Sequence, residues 1–149
     1  MEKVKFVMKP ELKQIIPIAE AFSRLLHPFA EVVIHDLETD EIQMIYNSFS
    51  KRDAGDKSYM ERWDFAENPQ ENVYGPYEKI NYDGRKLKSV SIVIRDLDAK
   101  AVGFLCVNMD VSVFESQQAI LMQFLGNNDA NMSEETQGLF KDDLYEQIN

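Results

Sequence analysis

Cysteine is nearly absent. Cys106 is the only one in 149 residues, so no internal disulfide can form and no cluster of thiolates can hold zinc or an iron–sulfur centre. A chain that does without disulfides fits a reducing compartment, and the cytoplasm is the expected location. Basic residues are also scarce, 16 against 26 acidic ones, for a net charge of -10. Such a surface repels phosphate backbones and anionic bilayers, which argues against direct binding of nucleic acid or membrane by this chain. No apolar run approaches the roughly 18 residues needed to cross a bilayer, and Met1-Glu2-Lys3-Val4-Lys5-Phe6 lacks the apolar stretch of a signal peptide. Missing too are a glycine-rich phosphate loop, a paired-cysteine zinc spacing and a Gly-x-Ser-x-Gly elbow. Histidine occurs only as His27 and His35. His27 precedes Pro28 at a helix end and reads as a surface or capping residue, and no metal site is expected.

What is present suffices for a core. With 44% hydrophobic and 28% charged residues the composition is that of one ordinary folded domain rather than a disordered chain. Leu12, Ile15, Ala19, Phe22 and Leu26 recur at helical spacing and predict an amphipathic helix over 11–26. Pro17 is expected to kink it or to restart it, and His27-Pro28 to end it. The β-branched run Glu31-Val-Val-Ile-His-Asp-Leu37 and Ile42-Gln-Met-Ile-Tyr46, joined by the polar turn Glu38-Thr39-Asp40, predict a hairpin of strands near 30–37 and 41–47. From Asn47 to Asn72 no alternation is sustained, and an irregular helical segment is expected, with Tyr59, Met60, Trp63 and Phe65 covering the core. Asp83-Gly84 and Leu97-Asp98-Ala99-Lys100 then punctuate three further strands near 74–81, 87–96 and 101–110. Ser112 and Glu115 have capping-box spacing for a helix over 112–125, with Gly126 as its left-handed cap. Residues 1–126 therefore read as one domain. Residues 127–149, with six acidic residues and one lysine, read as an acidic tail or linker.

Centring the last two hairpins on their turns gives a register, and residues directly opposite each other share a sheet face. The Asp83-Gly84 turn pairs Glu78 with Ser89 and Pro76 with Ser91; the turn at Asp98-Ala99 pairs Ser89 with Asn108 and Ser91 with Cys106. One face then carries Glu78, Ser89, Ser91, Cys106 and Asn108. The other carries Tyr77, Val90, Ile92, Leu105, Val107 and Met109, with Lys79 and Lys88 facing each other. Phe104 and Val93 fall on the small polar face, so that face is expected to be covered, and a covered face with hydroxyl and amide groups is what a small-ligand pocket needs. In this register Tyr77 and Ser89 cannot line one pocket. His35 and Asp36 are neighbours on a strand and point to opposite faces, so they do not form a dyad. Cys106 lacks a histidine-rich setting and reads as packing. An enzyme is the minority reading: the alternative function is a small-molecule enzyme using His35 or Cys106.

Five blocks in order carry more than periodicity: Ala30-Glu-Val-Val-Ile-His-Asp-Leu37; Asn47-Ser-Phe-Ser-Lys-Arg52 with Gly55-Asp56; Gly75-Pro-Tyr77; Asp83-Gly-Arg-Lys-Leu-Lys-Ser89; and Gly103-Phe-Leu-Cys-Val-Asn-Met-Asp110. Over roughly residues 17 to 115 the chain resembles the YheO-like PAS domain family. The resemblance implies an α+β, PAS-like fold: a five-stranded antiparallel sheet flanked by helices. It also implies the sensory part of a bacterial transcriptional regulator, whose DNA contacts belong to a C-terminal helix-turn-helix domain absent from this chain.

PAS domains hold ligands between sheet and helices. The Asn-Cys-Arg-Phe-Leu string of the flavin photoreceptors is not found here, and a haem would have only His27 or His35 as axial ligand. No cofactor is expected, and what remains is a small polar metabolite or no natural ligand at all. The candidate contacts are His35 and Asn47, by motif membership, and Tyr77, Ser89, Ser91 and Asn108, partly by sheet face. A homodimer is expected, using the 11–26 helix, the 112–125 helix or both.

Overall fold

A computed structural model describes residues 7–59 and 71–126. The chain divides at Val111 and Ser112 into two units. The first holds helix α1 (Pro10–Leu26) and strands β1 (Ala30–Asp36), β2 (Glu41–Tyr46), β3 (Val73–Ile80), β4 (Lys86–Arg95) and β5 (Ala101–Asp110). The strands form one antiparallel sheet in the order β2-β1-β5-β4-β3. The second unit begins with helix α2 (Ser112–Gly126), which starts at the serine marked by the capping-box spacing. None of its residues is buried.

β1 is an inner strand, buried along its whole length, which is why it is a β-branched run rather than an alternating one. β3 lies at the edge, alternates between exposed and half-buried positions, and tolerates Pro76 because an edge strand needs fewer ladder donors. α1 starts with Pro10 in its first turn and runs unbroken past Pro17 to His27. It lies on one sheet face, where Leu12 and Ala19 join Val32, Ile34, Ile94, Val102 and Leu105 in a fully apolar core. On the other face Val33, Ile42, Val93, Phe104 and Cys106 form a second cluster, half ringed by polar groups.

Two expectations require correction. The described part of the 47–72 segment, residues 47–59, contains turns and bends but no helix, and Tyr59 is exposed. It instead lays its backbone amides and short polar side chains over β1. Met60, Trp63 and Phe65 lie outside the described residues. The register of β3 on β4 is also one residue from that expected: Tyr77, not Glu78, faces Ser89, and Glu78 faces Lys88. The cause is the turn. Asn81 and Arg85 close it, with Asn81 N donating to the Arg85 carbonyl and Gly84 N to the Asn81 carbonyl, so its centre falls on Asp83 rather than between Asp83 and Gly84. That shift moves the side chains of residues 77–80 to the opposite face. Opposite charges, Glu78 and Lys88, thereby replace the pair of like charges.

A bulge at Gly75-Pro76 shifts the ladder again, so that Tyr74 faces Ser91. Gly75 has a φ of 116°, and a Cβ there would lie 2.6 Å from the Ser89 carbonyl oxygen, so a side chain cannot be accommodated.

Candidate functional site

The register sets four polar side chains in one row across the sheet: Glu31 on β1, Asn108 on β5, Ser89 on β4 and Tyr77 on β3. The next rung carries Cys106 and Ser91, and the one beyond it carries His35 beside Phe104. Tyr77 and Ser89 thus share a face, so the conflict between these two candidates disappears. Glu31, Ser89, Ser91 and Asn108 are each at most 1% exposed, so this polar row lies in the interior rather than in solvent.

Glu31 organises the covering segment. Its Oε2 accepts the backbone amides of Phe49 and Ser50 at 3.1 and 3.0 Å. Its Oε1 accepts Arg52 Nη2 at 3.1 Å and Asn108 Nδ2 at 3.2 Å. A fully buried carboxylate with four donors is satisfied. Farther along the same face, His35 Nδ1 and Ser58 Oγ share a hydrogen bond of 2.7 Å. Burial, reinforced by the nearby Arg52 and Lys79 cations, holds the His35 imidazole down to a pKa of about 3, so it is neutral at physiological pH. Tyr77 OH lies 2.8 Å from Ser91 Oγ, which lies 3.1 Å from Cys106 Sγ. Burial raises the Cys106 thiol above its ordinary pKa, which suppresses the thiolate.

Two atoms in the row are left over. Among the described residues, buried Ser89 Oγ and Asn108 Oδ1 have no hydrogen-bond partner. A buried polar atom without a partner costs about 1–3 kcal/mol, so two side by side on one face are a feature that needs a reason. Asn47 sits differently. Its Nδ2 donates to the Pro28 and Ala30 carbonyls at 3.0 and 2.9 Å, and its backbone takes a φ of 53°, so it fastens the start of the covering segment to β1. Asp36 points away from His35, accepting Lys9 Nζ at 3.0 Å and the amides of Glu38 and Thr39. His27 is exposed at the end of α1.

A family model for the YheO-like PAS domain matches residues 7–126. The chain belongs to that family. The YheO-like PAS chain is also similar to the transcriptional regulator DauR of Pseudomonas aeruginosa, at 40% identity over 140 residues. That match covers 94% of this chain but 65% of the relative, so the chain spans about two-thirds of DauR's length. Among solved structures it is similar to the PAS domain of a protein from Colwellia psychrerythraea, at 16% identity and a TM-score of 0.44, covering 65% of this chain and 98% of that one.

Tyr77, Ser89, Ser91, Asn108 and His35, all candidates from the sequence, share this sheet face, and Glu31, Arg52, Ser58 and Lys79 join them there without having been singled out. Glu31 and Asn108 are 77 residues apart, and only the β1–β5 pairing brings them together. One signal was available: an acidic residue directly before the apolar run Val32-Val33-Ile34, on a strand placed to be buried, demands a buried partner. Among the described residues, no group of three His, Cys, Asp or Glu side chains is placed to hold a metal, and no helix is long and apolar enough to cross a membrane.

Proposed function

We propose that this domain is the sensory part of a cytoplasmic transcriptional regulator and that it binds a small polar metabolite on the buried face of its sheet. The observation that carries the reading is the pair Ser89 Oγ and Asn108 Oδ1, buried and without partners in a row whose other members are hydrogen-bonded. A ligand offering a donor to Asn108 Oδ1 and either a donor or an acceptor to Ser89 Oγ would remove both deficits. Tyr77, Ser91 and His35 border the same ground and would shape it, while Asn47 would hold the covering segment in place. The regulatory role is drawn from the family and from DauR. An enzymatic role for His35 or Cys106 is disfavoured by a neutral, bonded imidazole and a thiol kept protonated by burial.

DNA contact is assigned to a helix-turn-helix outside these residues. A chain of net charge -10 gains no counterion-release free energy on a duplex. Fluorescence anisotropy should find no salt-sensitive DNA affinity for the chain alone, and tight binding would contradict the charge assignment. Dimerisation is part of the same reading. Ile18, Phe22 and Leu25 form an exposed stripe on α1, and Phe114, Ile120, Leu121, Phe124 and Leu125 are exposed on α2. Sedimentation at micromolar concentration should give a dimer, and a monomer would remove this part. For the ligand, native mass spectrometry of the purified protein should show a small mass excess that is lost on denaturation and absent from Ser89→Ala/Asn108→Leu. An excess retained by the double variant would place the ligand elsewhere.

A further inference from the structure

Among the described residues, one cation near the polar row stands outside the close ion pairs. Glu31 is matched by Arg52 at 3.1 Å, and Asp110, one rung along on β5, shares Arg85 with Asp83 at 2.7 and 2.8 Å. His35 and Cys106 are neutral. Lys79 remains. It lies two residues after Tyr77 on β3 and opposite Leu87, which is buried on the same face as Ser89, so its side chain starts about 6.6 Å from the Tyr77 rung on that face. Its ammonium acts on both His35 and Cys106. It is half-buried, and among the described residues it makes no ion pair or hydrogen bond. Burial and the Arg52 cation depress its pKa by more than the Glu31 carboxylate and Cys106 raise it.

Three groups on one face therefore await partners: a cation, a hydroxyl and an amide oxygen. The hydroxyl can donate, whereas the amide oxygen can only accept. We propose that this face takes a small carboxylic acid that also carries a hydroxyl or N–H group, its carboxylate on Lys79 and Ser89 and its donor on Asn108 Oδ1. This inference rests on the reading of the face as a ligand site and adds the charge and donor pattern of what fills it. A neutral ligand would leave the Lys79 ammonium uncompensated, and an acid without a donor would leave Asn108 Oδ1 orphaned. A cation would meet Lys79 and Arg52 with like charge.

The test uses a matched pair of probes, lactate and its neutral isostere lactamide, titrated into the 15N-labelled full chain while amide chemical shifts are followed. Lactate should shift the amides of Lys79, Ser89 and Asn108 saturably and bind roughly tenfold or more tightly than lactamide, as expected for one charge-assisted hydrogen bond. Lys79→Met should erase that difference. Lys79→Gln serves as a second variant, and the spectra themselves report whether each variant is folded. Lactamide binding at the same residues as tightly as lactate would overturn the acid and leave the ligand face standing. A preference for lactate that survives in both Lys79 variants would overturn the role of Lys79. No saturable shift at these residues with either probe would overturn both the acid and the ligand face.

Discussion

Replacing Glu31 by alanine tests how the covering segment is held. In the native fold the carboxylate is fully buried and accepts two backbone amides, one guanidinium N–H and the Asn108 amide. Its removal leaves Arg52 free to turn toward water, since that side chain is 27% exposed. The amides of Phe49 and Ser50 and the Asn108 amide are less able to do so. Three orphaned donors at about 1 kcal/mol or more each, together with the lost charge pair, give a destabilisation of about 3–5 kcal/mol. Glu31→Gln retains one acceptor oxygen but turns an NH2 against donors on the other side, for about 1–3 kcal/mol. The internal control is Glu20→Ala, which removes an exposed helix pair with Arg24 and should cost no more than about 0.5 kcal/mol. Urea unfolding at pH 7 with unchanged m values measures all three. Glu31→Ala costing less than about 1 kcal/mol would refute the idea that this carboxylate anchors the segment.

Further outcomes follow from the same face. Ser89→Ala should leave the free protein as stable as wild type or more stable, because it deletes an unsatisfied buried hydroxyl, whereas Ser91→Ala should cost about 1–2 kcal/mol by breaking the Tyr77–Ser91–Cys106 chain; chemical denaturation that ranks them the other way contradicts the assignment. His35 has a folded pKa of about 3 against an ordinary value near 6.5, so its contribution is fully present above pH 6.5 and is lost as pH falls toward 3. Between pH 7 and 5 this amounts to about 2 kcal/mol, and the pH dependence of urea midpoints should be flatter by that amount in His35→Gln. Gly103→Ala should destabilise by about 1–3 kcal/mol, because its Cβ would lie 2.5 Å from both the His35 carbonyl oxygen and Leu12 Cδ2; thermal unfolding reads this, and an unchanged midpoint would show that both α1 and the β1 backbone can give way.

The parts of this fold that are local in sequence were legible in it. Turn residues bracketed the strands, and helical spacing marked α1, because both signals lie within a few neighbouring positions. The β4–β5 register followed from its turn and put Ser89 opposite Asn108. The β3–β4 register did not, since Asn81 and Arg85 extend the turn beyond the Asp83-Gly84 pair and the Gly75-Pro76 bulge shifts it again. A slip of one residue was enough to place Tyr77 on the wrong face. Glu31, Arg52 and Ser58 escaped notice for another reason. Arg52 and Ser58 lie in a non-helical segment crossing over β1, the same segment that supplies Glu31 with most of its donors, and irregular backbone leaves no periodicity to read. Asn47 was singled out by the family strings, yet its amide is spent on the Pro28 and Ala30 carbonyls.

The central claim is that Ser89 and Asn108 present unsatisfied polar atoms to a ligand. A high-resolution crystal structure of the protein as purified addresses it most directly. Non-protein density larger than a water molecule is expected within hydrogen-bond distance of both Ser89 Oγ and Asn108 Oδ1. Protein groups closing on both atoms, or a single ordered water satisfying the pair, would contradict it.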